Sequence, residues 1–208
     1  MTAAAAEKPR RTQESRREAT IRKLLDAGAE VLIELGYAEA SVQRVCDRAG
    51  VSHGALFRHF PTREAFMVAV ADDVGAKLLA RYRREFEKLR TTEEPLALAL
   101  RLVRDACRSR DNQAWYELGM AARTTPSLRE ALQPIATRYH QSIVALAAEL
   151  LPDVAATLGD RFPALVELVI AFFDGESVHR FVLDTSPTDE QRMELLVAVS
   201  RLLTAPRS

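Results

Sequence analysis

Apolar residues recur along this chain at helical spacing almost from end to end. Ile21, Leu24, Leu25, Gly28, Val31, Leu32 and Leu35 fall at intervals of three and four, which predicts an amphipathic first helix. The Ser15/Glu18 pair is the expected capping box at its start, and Gly36 the expected stop. Ser41 can cap a short second helix, Val42 to Arg48. Ser52 can cap a third, His53 to His59, which ends before Pro61. A long fourth helix is predicted from Thr62 to about Arg90 through Phe66, Val70, Val74, Leu78, Tyr82 and Phe86. Three more follow, from Glu93 to about Ser109, from Asp111 to Arg123, and from the Ser127/Glu130 box to Leu151. Pro152, Gly159 and Pro163 mark a break. The last two helices are predicted over Phe162 to Asp184 and Asp189 to Leu203, the latter behind a Thr188/Gln191 box. No useful β-type alternation occurs, so the expected fold is all-α with about nine helices.

The last two helices are apolar around most of their circumference and must be covered on several sides. Two copies of the pair, packed as a four-helix bundle, would provide that cover. The expected dimer interface is Leu165, Leu168, Phe172, Gly175, Phe181, Leu196, Val199 and Leu203.

Composition changes this picture little. In 208 residues, 48% are hydrophobic and 28% charged, an ordinary globular balance. Net charge is zero, but Met1 to Lys23 holds seven Lys/Arg against three Glu, so the remainder carries four net negatives. A basic arm on an acidic body suits a protein that meets phosphate at one end, though a solvated tail has the same composition. Cys46 and Cys107 lie far apart, with no metal-ligand spacing, and read as small buried residues. With no signal-peptide pattern and no apolar run of membrane-spanning length, the chain is expected in the cytoplasm and not in a membrane. No phosphate loop, HExxH or Gly-x-Ser-x-Gly motif is present, so neither catalytic residues nor a cofactor is expected.

The stretch from Ser41 to Phe60 carries the chemistry. Two short helices joined at Gly50 are the elements of a helix-turn-helix. Val45, Ala49, Val51 and Leu56 are spaced to face the first helix, leaving Gln43, Arg44, His53, Gly54, Ala55 and Arg58 outward. Small Gly54 and Ala55 would admit base edges and thymine methyls. His53 and Arg58 can donate to bases or phosphates, and the caps Ser41 and Ser52 present helix N-termini to phosphate. Gln43 and His59 fit either a contact or a surface role.

Gly36-Tyr37, Ser41-Val42, Ala49-Gly50-Val51-Ser52, Gly54-Ala55-Leu56-Phe57 and Phe60-Pro61-Thr62-Arg63-Glu64 together resemble the DNA-binding signature of the TetR family of regulators. The resemblance covers about Arg16 to Met67. It implies a three-helix DNA-binding head, a variable ligand-binding body and dimerisation through the last two helices. The implied division is a basic disordered arm (1–14), a helix-turn-helix domain (15–62) and an effector-binding and dimerisation domain (63–208). Two departures weaken phosphate anchoring. His53 stands where the family commonly has Lys, and Phe57 where it commonly has Tyr. Arg63 matches the family's usual phosphate-contacting Lys and would compensate together with Arg58.

For the body, Trp115, Tyr116, Met120, Tyr139, His140, Phe172, Phe173, Glu176 and His179 are the candidates to line an effector site. Phe172, Glu176 and His179 share one helical face. That face fits a ligand, and it equally fits a core aromatic beside a polar pair or a dimer contact. The expected function is a DNA-binding regulator, a repressor released from a palindromic double-stranded operator by a small, partly apolar effector. The alternative is a helical scaffold that binds partners without specific DNA affinity.

Overall fold

The computed structural model of the chain describes residues 13–87 and 92–204. Most of the expected arm lies outside the described residues, as does the expected end of the fourth helix near Arg90. The described chain forms α1 (Gln13–Glu39), α2 (Val42–Ala49), α3 (His53–His59), α4 (Arg63–Phe86), α5 (Pro95–Cys107), α6 (Arg110–Thr124), α7 (Pro126–Leu150), α8 (Pro152–Leu158), α9 (Phe162–His179) and α10 (Asp189–Thr204), with no strand among these residues.

Local chemistry accounts for most of the boundaries. The side chains of Ser41, Ser52, Thr62 and Ser109 accept hydrogen bonds from the backbone N–H of Arg44, Ala55, Ala65 and Asn112, capping α2, α3, α4 and α6. Gly50 ends α2 in the left-handed conformation, at φ 66°, and its N–H and that of Val51 close on the carbonyls of Asp47 and Cys46. In α1 the regular helix breaks at Gly36, at φ 74°, where a side chain would be strained.

Three expectations need correction. Ser15 lies inside α1, which already runs at Gln13, and Ser127 lies inside α7, which starts at Pro126, so neither caps its helix. The segment after Pro152 is a helix, because Pro152 and Pro163 sit in first turns, where a missing N–H costs nothing. The penultimate helix stops at His179 rather than Asp184, followed by a loop that exposes Phe181, Val182 and Leu183.

One core runs through head and body. Leu24, Val31, Leu32, Val45 and Leu56 are continuous with Phe66, Met67 and Val70 of α4 and with Leu118, Leu128 and Leu146 beyond. The helices α1 and α4 approach closely at Gly28, where an added Cβ would lie 2.7 Å from Phe66 Cζ and 2.8 Å from Val70 Cγ2. Arg22 pairs with Asp73, and Lys77 bridges Asp26 (2.7 Å) and Asp73 (2.8 Å), across the same seam. A smaller cluster of Leu100, Cys107, Val169, Phe173 and Met193 joins α5, α9 and α10 at the far end. No single helix among the described residues is long and apolar enough to cross a membrane.

Candidate functional site

The helix-turn-helix forms from the residues that predicted it. Val45 and Leu56 are fully buried against α1 and α4, while Ala49 and Val51 are half-buried beside them. This orientation turns the cap Ser41 with Gln43 and Arg44 of α2, and the cap Ser52 with His53, Gly54, Phe57 and Arg58 of α3, into solvent. Ala55 and His59 are half-buried. Phe57 is 46% exposed, which is high for an aromatic ring one position from the buried Leu56. Nothing stands within van der Waals distance of a Cβ built at Gly54 except the Ser52 hydroxyl, 4.0 Å away, so this face offers little bulk to an approaching surface.

The cations of the head are not equivalent. Gln43 donates to Asp47 Oδ1 (2.7 Å), and Arg44 is paired with Glu39 (2.9 Å). Arg48 is paired with Glu34, whose carboxyl is held below its ordinary range first by that hydrogen bond. Arg63 is half-buried. Its Nη2 donates to the carbonyl oxygens of Tyr37 (2.7 Å) and Ala40 (3.4 Å), and its guanidinium lies 4.0 Å from the Tyr37 ring centroid. Arg63 therefore fastens the α1–α2 connection to the start of α4. Sequence alone offers it to phosphate, and those carbonyl contacts lie beyond the reach of a sequence pattern. Arg58 and His53 form no hydrogen bond or ion pair among the described residues, so the donors of α3 face outward uncommitted.

Head and body meet where α1 breaks. The backbone N–H of Tyr37 donates to Glu117 Oε2 of α6 (3.3 Å). Arg110, at the start of α6, reaches both Glu30 and Glu34 of α1, and Glu34 also holds Arg48 of α2. Four charges thus connect α6, α1 and α2.

In the body, an apolar cavity of about 80 Å³ lies between α4, α5, α7 and α9, lined among others by Tyr82, Phe86, Leu100, Ile143, Leu146 and Val169. None of the expected ligand residues lines it. Trp115 and Tyr139 stack at 5.1 Å between ring centroids and border a separate hollow beside Gly75 and Arg138. Tyr116 donates to Asp174 Oδ1 (2.8 Å) near a polar hollow that includes Arg108 and Arg180. His140 pairs with Glu167 (3.0 Å) on the surface. Met120 is 62% exposed, and His179 also faces solvent.

The single face of Phe172, Glu176 and His179 is divided by the fold. Phe172 is exposed, whereas Phe173 is fully buried. Glu176 is buried between Arg108 (2.8 Å) and Arg192 (2.9 Å), and Asp189 binds the same two arginines. Burial pushes the Asp189 carboxyl up, but the hydrogen bond and charge of Arg108 outweigh it and hold the group below its ordinary range. Burial first, then the neighbouring Asp174, pushes the Cys107 thiol well above its usual value, so it stays protonated.

Of the expected dimer residues, Leu168, Phe172, Gly175, Phe181, Val199 and Leu203 are exposed in the single chain, joined by Val178, Leu195 and Leu202. Leu165 and Leu196 are half-buried against the small far-end cluster.

Residues 24–70 match the family described as bacterial regulatory proteins, tetR family, and residues 96–203 match the C-terminal domain of BetI-type transcriptional repressors. An HTH-type transcriptional regulator of Mycobacterium tuberculosis is 40% identical over 195 residues, covering 94% of this chain and 98% of its own. An HTH-type transcriptional repressor of the same organism is 28% identical over 196 residues, covering 93% and 94%. Among solved structures, a transcriptional regulator from Pseudomonas aeruginosa PAO1 superposes with a TM-score of 0.70 at 19% identity, covering 93% of this chain and 96% of that one. The multidrug binding protein EbrR in complex with imidazole superposes with a TM-score of 0.64 at 24% identity, covering 86% and 93%. The two structural likenesses establish the fold. The sequence relatives favour DNA binding over the scaffold alternative.

Proposed function

Because this chain belongs to the tetR family of bacterial regulatory proteins and is a DNA-binding transcriptional regulator, we propose that it acts as a homodimeric repressor, released from a palindromic operator when a small effector enters the body. The observation that carries the reading is the outward face of α3, where His53, Gly54, Phe57 and Arg58 stand exposed on a helix capped at Ser52 and anchored by the buried Leu56. A short helix fixed from behind, with small residues and uncommitted donors in front, suits a major groove. Residues 15–62 then form the DNA-binding unit and residues 63–208 the sensing and dimerising unit.

The dimer is supported by the bare apolar stripes of α9 (Leu168, Phe172, Val178) and α10 (Leu195, Val199, Leu202). Covering such stripes with a second copy removes an exposed patch that a soluble chain rarely tolerates. Two α3 helices separated by about one DNA turn, roughly 34 Å, would then read adjacent major grooves. Effector control is supported by α4, which buries Phe66 and Met67 under the head and brings Tyr82 and Phe86 to the cavity at its other end. A ligand that displaces that end moves the head, and coupling of this kind is typically about 1 to 3 kcal/mol.

The test is retention of genomic DNA fragments by the purified protein at two salt concentrations, followed by sequencing. Enrichment of one palindrome that weakens with salt is expected. Arg58→Ala should lower affinity for that palindrome by about 1 to 3 kcal/mol without changing the oligomeric state. Retention without sequence preference would overturn the reading.

A further inference from the structure

The body cavity differs from an ordinary drug-sized site in two ways, its chemistry and its shape. Apart from the hydroxyls of Tyr82 and Ser200, its lining among the described residues has no polar side-chain atom. Burial pushes the Tyr82 phenol well above its ordinary range, so it is a neutral group. Among the described residues no Asp, Glu, Lys, Arg or His borders the space. A cation entering it would find no carboxylate and an anion no arginine. Either would lose its hydration shell without replacement, a cost that excludes charged ligands unless they neutralise.

The shape narrows the class further. The lining follows α7 from Ile143 to Leu150 and α9 from Phe162 to Ile170. At 1.5 Å per residue, these are stretches of about 10 to 12 Å. About 80 Å³ is open there to the centre of a water-sized sphere, so walls of that length enclose a space little wider than a hydrocarbon chain rather than a chamber. Drug-sized aromatic ligands occupy pockets of roughly 300 to 1,000 Å³. A flexible hydrocarbon chain is the shape that fits.

We propose that this slot takes an uncharged, single-chain aliphatic molecule, lying along α7 and α9 with its end against Tyr82 and Phe86 of α4. The proposal rests on the effector-release reading above and adds the class of effector. It also separates this chain from its structural neighbour EbrR, which has been crystallised with malachite green, a bulky cationic dye that the slot could neither solvate nor contain.

The experiment is calorimetric titration of the full chain, without DNA, with 1-decanol, decanoate and malachite green. 1-Decanol, whose chain is of comparable length to the slot, is expected to bind at least tenfold more tightly than either charged compound. Ala147→Phe, which pushes a ring into the slot from α7, is expected to weaken 1-decanol at least tenfold, with circular dichroism confirming the fold. Should that variant not fold, Val154→Phe at the α8 rim is expected to act in the same direction. Equal or tighter binding of decanoate or malachite green, no binding of 1-decanol, or undiminished 1-decanol affinity in a folded variant would each overturn the proposal. The selected operator fragment separates the two readings. Binding of 1-decanol in the slot without release of DNA supports the ligand class and contradicts effector release. Release by a different class of compound does the reverse.

Discussion

The seam between α1 and α4 and the far end of the body, where α5, α9 and α10 meet, are built on opposite terms. At the seam there is no spare room. Gly28 is the only residue type that fits under Phe66 and Val70, and ion pairs close the edges. At the far end a slot remains open, two apolar stripes lie bare, and a partly buried ion cluster of Arg108, Glu176, Asp189 and Arg192 stands beside only a small hydrocarbon cluster. Reading DNA requires recognition helices held in one orientation, whereas answering a ligand requires a region with more than one arrangement of similar energy. On the function proposed above, the two needs fall to different parts of the chain, the core shared by head and body and the separate far-end cluster.

The sharpest way to break this comparison is to remove the charge on which the far end depends. Glu176→Ala removes the buried carboxylate shared by Arg108 and Arg192, leaves Asp189 as their remaining acid partner, and should cost about 1 to 3 kcal/mol, measured by urea unfolding. A cost below about 1 kcal/mol would mean that packing, not the ion cluster, holds α10. At the seam, Gly28→Val overfills a site with no slack and should cost about 1 to 3 kcal/mol. If thermal unfolding shows no loss, the seam has hidden room. Ser52→Ala removes one cap from α3 and should cost about 1 kcal/mol, with operator affinity falling alongside.

The smallest effect is in pH. Asp189 and Glu190 are both held below the ordinary carboxylate range, Asp189 by Arg108 against the opposing effect of burial, and Glu190 first by its hydrogen bond from Arg101. A depressed carboxylate contributes stability above its unfolded value, about 4, and loses it as pH falls through the folded value. The melting temperature should therefore be level from neutral pH to about 5 and decline below about 4. Asp189→Asn should flatten part of that acid limb. An unchanged limb would place the pH dependence elsewhere in the chain.

The head was largely legible in the sequence because its determinants are local. Ser41, Ser52 and Thr62 cap within three residues, Gly50 turns within four, and Val45 and Leu56 announce their burial by spacing. The body was legible as helices but not as a site. Leu100, Ile143, Leu146 and Val169 read as ordinary core residues, and only their three-dimensional arrangement shows that they leave a gap. Aromatic and polar content pointed instead to Met120, Phe172 and His179, which face outward, and to Glu176, which is already occupied by arginines. Spacing along one helix cannot reveal which neighbouring helix arrives to fill a face. Arg63 shows the same limit. Its partners are the carbonyls of Tyr37 and Ala40, more than twenty positions away, and no side-chain pattern encodes a carbonyl.

The hydrogen bond from the Tyr37 N–H to Glu117 has a consequence for protein engineering. The N-terminal unit of this regulator is not a cassette that ends at a linker. Its first helix is finished by a carboxylate on α6, and its second is steadied through Glu34 by Arg110. A hybrid that transplants residues 13–62 onto a sister protein has to bring the acid at 117 and the base at 110 along with them, or the borrowed reader will face DNA at an angle its new owner dictates.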